Sequence, residues 1–91
     1  MVGFYALKIR ANTGNLLNID LLKDILSKYG TIEKVDLFNN IRGYYYIVYY
    51  IDKFSVEKVD RSLNGTEVEP LGERLYISSY SPEQHYLSSF F

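Results

Sequence analysis

The fold of this chain is decided by one stretch near its middle, Arg42-Gly43-Tyr44-Tyr45-Tyr46-Ile47-Val48-Tyr49-Tyr50. After the first two residues it contains only aromatic and β-branched side chains, which favour a strand. Side chains alternate along a strand, so Tyr44 and Tyr46 share one face, and Tyr45, Ile47 and Tyr49 share the other. One face can therefore pack against a core while the other presents flat rings beside a cation. Such a surface suits unstacked nucleic acid bases.

The segments before this stretch predict a strand, a helix and a second strand. Residues 4–10 alternate, with Leu7 and Ile9 on one face and Lys8 and Arg10 on the other. Asn18 is suited to cap a helix, because apolar residues follow it at helical spacing up to Gly30. Residues 32–38 alternate again, with apolar Val35 and Leu37 directed to the core and Lys34, Asp36 and Phe38 to the other side.

The segments after the tyrosine stretch predict a second helix and a last strand. Asn39-Asn40 is read as the turn before the stretch. Ser55 is suited to cap the second helix, which Asn64-Gly65 ends. Residues 67–73 form a polar loop, and residues 74–80 alternate between Leu75 and Ile77 on one face and Tyr76 and Ser78 on the other.

The predicted order of elements is βαββαβ. Right-handed crossovers in this order give a four-stranded antiparallel sheet, in strand order 4-1-3-2, with both helices on one face. This is a ferredoxin-like α+β sandwich whose other sheet face is open. We expect residues 1–81 to form it. Residues 82–91 form a C-terminal tail that begins like a helix, with Ser81 at the cap and Pro82 after it. Because two phenylalanines are an unlikely end for a free tail, we expect the chain to be a fragment of a larger protein.

Composition limits the function classes. With 91 residues the chain makes one domain, and without cysteine it has no disulfide and no thiolate zinc site. No apolar run is long enough for a membrane span, so we expect an intracellular domain and no membrane partner. The net charge is −1, which argues against generic polyanion binding. His85 is the only histidine, and no carboxylate pair is placed for acid–base work, so we predict no enzyme, metal or cofactor.

The chain resembles the RNA recognition motif (RRM) family from Leu7 to about Tyr80. The family's octamer motif runs base, Gly, aromatic, Gly or Ala, aromatic, aliphatic, any residue, aromatic, and 42–49 follow it except at the fourth position. The looser hexamer motif is placed at Leu7-Lys8-Ile9-Arg10-Ala11-Asn12. The helix endings around Tyr29-Gly30 and Leu63-Asn64-Gly65 are also similar to those of the family.

What the resemblance implies is single-stranded RNA binding on the open sheet face. Tyr44 and Tyr46 would then stack on bases, and Arg42 would pair with a phosphate. The expected strand order places Lys8 and Arg10 beside these rings, and Tyr76 extends the aromatic surface. The candidate RNA-binding residues are Tyr44, Tyr46, Lys8, Arg10, Arg42 and Tyr76. Two stacked rings give weak binding, so a neighbouring domain is expected to contribute.

The register of the tyrosine strand has two readings. The octamer ends in an aromatic residue, and its position can also be counted back from Asn64-Gly65 at the end of the second helix. That count places the last aromatic residue of the octamer at Tyr50 rather than at Tyr49. Either the loop before the second helix holds one extra residue, or the register slides by one, which would turn Tyr45 outward and bury Tyr44 and Tyr46. Because Arg42-Gly43 anchors the motif, we favour the extra loop residue at 51–54.

A second function class stays open, a protein-interaction or dimerisation module with its sheet face covered by the tail or by a partner. The acidic pI of about 5.7 favours it, as does Asp36 on the face expected to meet phosphate. The tail residues Tyr86, Leu87, Phe90 and Phe91 are apolar enough to dock on that face.

Overall fold

A computed structural model describes residues 5–80 of the chain. The elements follow the predicted order with one short addition. They are β1 (Tyr5–Ala11), α1 (Ile19–Ser27), β2 (Ile32–Asn40), β3 (Gly43–Tyr50), α2 (Lys53–Leu63), β4 (Glu67–Val68), a 3₁₀ turn (Glu69–Leu71) and β5 (Glu73–Tyr80). The predicted tail, residues 82–91, lies outside the described residues. Neither described helix is long and apolar enough to cross a membrane.

The strands form one antiparallel sheet in the order β2-β3-β1-β5-β4. The four long strands have the predicted neighbours, which confirms the ferredoxin-like α+β class. The fifth strand, β4, lies inside the segment that the sequence predicts as a polar loop. Its two residues pair with Arg74 and Glu73 at the start of β5.

The residues predicted to face the core from the first and the last strand are confirmed. Leu7, Ile9 and Ala11 of β1 belong to the main core, as do Leu75 and Ile77 of β5. Apolar and polar residues alternate clearly in both strands, so one register alone buries the apolar set.

The start of α1 is also as predicted, whereas α2 begins earlier than the sequence suggests. The Asn18 side chain accepts a hydrogen bond from the backbone N–H of Leu21 at 3.0 Å. At α2 the cap is Asp52 rather than Ser55, and its carboxylate accepts from the backbone N–H of Ser55 at 2.8 Å. This hydrogen bond lowers the pKa of Asp52. Ser55 is a buried residue of the first turn, and a Cβ on Gly30 would overlap its hydroxyl.

The predicted faces of the tyrosine strand are wrong. Tyr46, Val48 and Tyr50 have no exposed surface and lie in the main core under the helices. Tyr45, Ile47 and Tyr49 lie on the opposite face. The loop from β3 to α2 contains only residues 51 and 52, so the extra loop residue that the favoured register requires is absent. The register that the sequence leaves as the alternative is the one adopted.

Hydrogen bonds explain how tyrosines are accommodated in the core. The Tyr46 hydroxyl donates to the carbonyl of Leu17 at 3.0 Å and accepts from the Leu17 N–H at 2.8 Å. The Tyr50 hydroxyl donates to the carbonyl of Leu26 at 2.6 Å. Each ring thus fills the core while its polar end satisfies backbone groups of the β1–α1 loop or of α1, which would otherwise be costly to bury.

The turn between β2 and β3 lies two residues later than predicted. Asn39 and Asn40 belong to β2, and residues 41–42 form the turn. The Asn40 side chain accepts from the backbone N–H of Arg42 at 2.9 Å. Gly43 then has a φ of +115°, and a Cβ there would lie 2.3 Å from the carbonyl oxygen of Gly14. Glycine is therefore needed at 43 so that the β1–α1 loop can pack against the turn.

The buried tyrosines predict a loss of stability in alkali. Burial raises the pKa of both Tyr46 and Tyr50. Their contribution is complete below the unfolded tyrosine pKa of about 10 and is lost as pH rises toward the folded values, because the unfolded state releases its protons first. We expect the urea midpoint, followed by circular dichroism, to be lower at about pH 11 than at about pH 8. Tyr50→Phe should reduce this drop, whereas the control Tyr5→Phe, at an exposed ring, should leave it unchanged.

Candidate functional site

The sheet face opposite the helices carries an aromatic and basic row at one end. Phe38 of β2 is the register partner of Tyr45 of β3, and Arg10 of β1 is the partner of Tyr76 of β5. Since Ile9 pairs with Tyr46, Arg10 comes one residue further along β1 and lies beside Tyr45. The row thus crosses all four long strands in the order Phe38, Tyr45, Arg10 and Tyr76.

A polar groove of about 530 Å³ lies over this end of the sheet. Three cations line it, Lys8 and Arg10 from β1 and Arg42 from the β2–β3 turn. The other lining residues are mostly polar or aromatic, namely Asn40, Gly43, Tyr44, Tyr45, Asn64, Tyr76, Ile77 and Ser78.

Tyr45 is held between two neighbours in this groove. Its ring stacks on Phe38 with centroids 5.4 Å apart and an interplanar angle of 17°. The Lys8 ammonium lies 4.6 Å from the centroid of the same ring. Because β2 and β1 flank β3 on opposite sides, Phe38 and Lys8 approach the ring from the two sides of its strand. A base that stacks on Tyr45 from the β1 side must therefore displace Lys8.

The other end of the same face is closed by apolar and ionic contacts. Ile47 has no exposed surface and Tyr49 is 9% exposed, and both pack with Ala6 in a second apolar cluster. Lys34 lies 4.8 Å from the Tyr49 ring centroid and pairs with Asp36 at 3.5 Å. Burial raises the pKa of the nearby Tyr80, and the charges of Tyr49, Tyr45 and Asp36 raise it further.

Most of the sequence-predicted site residues meet in the groove. Lys8, Arg10, Arg42 and Tyr76 line it together. Tyr44 also lines it, although it shares the helix side of β3 with Tyr46. Tyr46 does not reach the groove, because its ring is enclosed in the main core.

Sequence reasoning missed Tyr45 as a site residue, since the favoured register placed it in the core. The sequence does contain the correct indication, because the count back from Asn64-Gly65 places the last aromatic residue of the octamer at Tyr50, and this register turns Tyr45 outward. Asn40 is not indicated as a site residue for a related reason, because the sequence predicts it in the turn rather than at the end of β2. Phe38 was predicted on the correct face, and the structure adds its stack with Tyr45.

The architecture is that of an RRM-type domain. It is similar to the first two RRM domains of the yeast poly(U)-binding protein, with a TM-score of 0.67 and 20% identity over 84% of this chain and 46% of that one. It is similar to RNA recognition domains 1 and 2 of Sex-lethal from Drosophila melanogaster, with a TM-score of 0.66 and 20% identity over 87% and 51%. A single RRM solved with bound RNA (GU) has a TM-score of 0.66 and 14% identity over 94% of this chain and 97% of that one.

At these identities the likeness concerns the fold. The chain spans about half the length of the poly(U)-binding and Sex-lethal structures. No protein-family model matches it, and no curated protein matches it either. Within residues 5–80 no group of three or more His, Cys, Asp or Glu side chains is placed to hold a metal ion.

Proposed function

We propose that this protein is a single-stranded RNA-binding module that uses the groove on its open sheet face. The observation that supports it best is the row of Phe38, Tyr45, Arg10 and Tyr76, in which a cation lies between aromatic rings. Bases stack on rings, and phosphates between the bases pair with cations. The RRM-type fold supports the same function, because similar structures have been solved with RNA.

Lys8 contacts a tyrosine ring in the free protein and is proposed to contact a phosphate in the RNA complex. In the free protein its ammonium covers one face of Tyr45, an interaction worth about 0.5–1 kcal/mol at an exposed site. Stacking of a base in the same place is worth about 1–3 kcal/mol. The exchange is therefore favourable, and the displaced ammonium becomes available to a phosphate oxygen. RNA binding moves Lys8 from the ring to the backbone of the ligand.

The expected affinity is low. Bases stacked on Tyr45 and on Tyr76 contribute about 2–6 kcal/mol together, which corresponds to a Kd no tighter than tens of micromolar. The net charge of −1 adds no general attraction for a polyanion. Useful binding in a cell then depends on a second binding module attached to this one, which raises the effective concentration of the RNA.

Salt dependence of RNA binding tests the proposal. With Lys8, Arg10 and Arg42 on phosphates, the slope of log K against log salt should be about −2 for a single strand. Lys8→Met keeps the length of the side chain and removes its charge, so the slope should weaken by about 0.7. The measurement is fluorescence anisotropy of a labelled pool of short RNAs over a salt series. Absence of binding at low salt, or a slope that Lys8→Met leaves unchanged, would contradict this site.

A second candidate function is a protein-interaction or dimerisation module. The specific observation in its favour is the second apolar cluster, in which Ile47 is fully buried although it lies on the sheet face opposite the helices. Light scattering over a concentration series distinguishes the two. A stable dimer that dissociates when Phe90 and Phe91 are removed favours this second function, whereas a monomer that binds RNA rules it out.

A further inference from the structure

We infer that the RNA site takes two nucleotides and no more, confined to the end of the sheet bordered by the β2–β3 turn. This inference rests on the proposed function and specifies its ligand. On the open sheet face the groove supplies two separate stacking positions, Tyr45, which packs on Phe38, and Tyr76. Tyr44, the third ring that lines the groove, shares the helix side of β3 with Tyr46. The remainder of the same sheet face is closed by the protein's own side chains.

The spacing of the row suits one base at each position with a phosphate between them. Tyr45 lies on β3 and Tyr76 on β5, with β1 between the two strands. Neighbouring strands are about 4.8 Å apart, so the two rings rise from positions about 10 Å apart. Arg10 stands on β1 between them, and Lys8 lies on the same face of that strand. The linking phosphate of a dinucleotide thus lies over the two cations of β1.

Among residues 5–80, the closed half offers no unpaired charge for a third nucleotide, and its two rings, Tyr49 and Tyr80, are buried or partly buried in the second apolar cluster. Ile47 and Ala6 are buried, so the centre of that half has no accessible apolar surface. Lys34 covers Tyr49 and is held by Asp36. A base stacking on Tyr49 from the side of Lys34 would have to break an ion pair as well as a cation–π contact, and the released Asp36 carboxylate would repel its phosphate. Displacing Lys8 from Tyr45 breaks no ion pair, because the described residues give Lys8 no acidic partner within ion-pair distance.

A series of oligonucleotide lengths tests the footprint. Labelled mono-, di-, tri- and hexanucleotides of mixed sequence, each with a phosphate at both ends, are titrated with the complete chain at low salt, so that the dinucleotide already carries the phosphates that Lys8, Arg10 and Arg42 would contact. The step from one to two nucleotides should raise affinity by about 5- to 150-fold, because it adds one stacked base. Beyond two, affinity should rise only with the number of registers, which is about fivefold for a hexanucleotide. A gain of a further tenfold or more between two and six nucleotides would overturn the footprint.

Lys8 and Lys34 provide a matched pair of variants, because each ammonium lies over a tyrosine ring at nearly the same distance. Lys8→Met should weaken the salt slope for the dinucleotide, whereas Lys34→Met should weaken neither the affinity nor the slope for any length. If Lys34→Met weakens the binding of the hexanucleotide, the RNA reaches Lys34 and the two-nucleotide site is wrong. If no length binds at all, the proposed function itself fails, which is a different result.

Discussion

Replacing Tyr45 and Tyr76 together by alanine is expected to abolish measurable RNA binding. Each ring stacks one base in the proposed complex, and each stack is worth about 1–3 kcal/mol. The loss of both is about 2–6 kcal/mol, or a decrease of about 30-fold to 20,000-fold in affinity. Because the starting affinity is tens of micromolar or weaker, most of this range lies beyond detection by anisotropy. The single variants should each show an intermediate loss.

Tyr5→Ala is the matched control for this double variant. Tyr5 and Tyr76 are both 42% exposed, but Tyr5 lies at the start of β1 and lines a different groove, beside α2. Its replacement removes a similar exposed ring and should leave RNA affinity unchanged. Circular dichroism of all variants should show the same folded spectrum. Wild-type affinity in the folded double variant would show that the rings of the groove do not stack bases.

The parts of the site on β1 and β5 were predictable from the sequence because their faces differ in polarity. Lys8 and Arg10 alternate with Leu7 and Ile9, so only one orientation buries the aliphatic residues. The same contrast places Tyr76 on the open face. Since the strand order follows from the βαββαβ arrangement, the neighbourhood of these residues was predictable as well.

The tyrosine strand was not predictable in the same way, because both of its faces are aromatic or aliphatic. Tyr44, Tyr46 and Tyr50 alternate with Tyr45 and Tyr49, so hydrophobicity does not distinguish the two registers. Backbone partners decide between them. The hydroxyl of Tyr46 reaches Leu17 and that of Tyr50 reaches Leu26, contacts that depend on the tertiary position of α1 and of the loop before it.

The start of α2 shows a similar limit. Asp52 and Ser55 are both good capping residues, and a local reading of the sequence does not decide between them. A cap at Ser55 extends the loop before α2 to residues 51–54. That longer loop has room for the extra residue that the favoured register of β3 requires. The two errors are therefore linked, although the sequence favours that register because Arg42-Gly43 anchors the motif. The Asp52 cap leaves no room for an extra loop residue.

Tyr46→Ala is expected to destabilise the domain by about 3–5 kcal/mol, the usual cost of removing a large buried aromatic side chain. The ring has no exposed surface, and its hydroxyl satisfies both the N–H and the carbonyl of Leu17. Such a loss is a large part of the roughly 5–15 kcal/mol that stabilises a small domain. Urea denaturation followed by circular dichroism measures it, and Tyr46→Phe keeps the ring should the alanine variant not fold.

The partner variant is Tyr45→Ala, at the next residue of the same strand. Tyr45 is only partly buried on the open face, so its removal should cost much less stability and much more RNA affinity. Tyr46→Phe should cost about 1–3 kcal/mol, because the buried polar groups of Leu17 lose their partner, and should leave RNA affinity unchanged. If changes at Tyr46 weaken RNA binding and changes at Tyr45 unfold the domain, the strand has the other register, the one with an extra loop residue before α2. Two neighbouring tyrosines thus separate stability from binding, since adjacent side chains of a strand lie on opposite faces of the sheet.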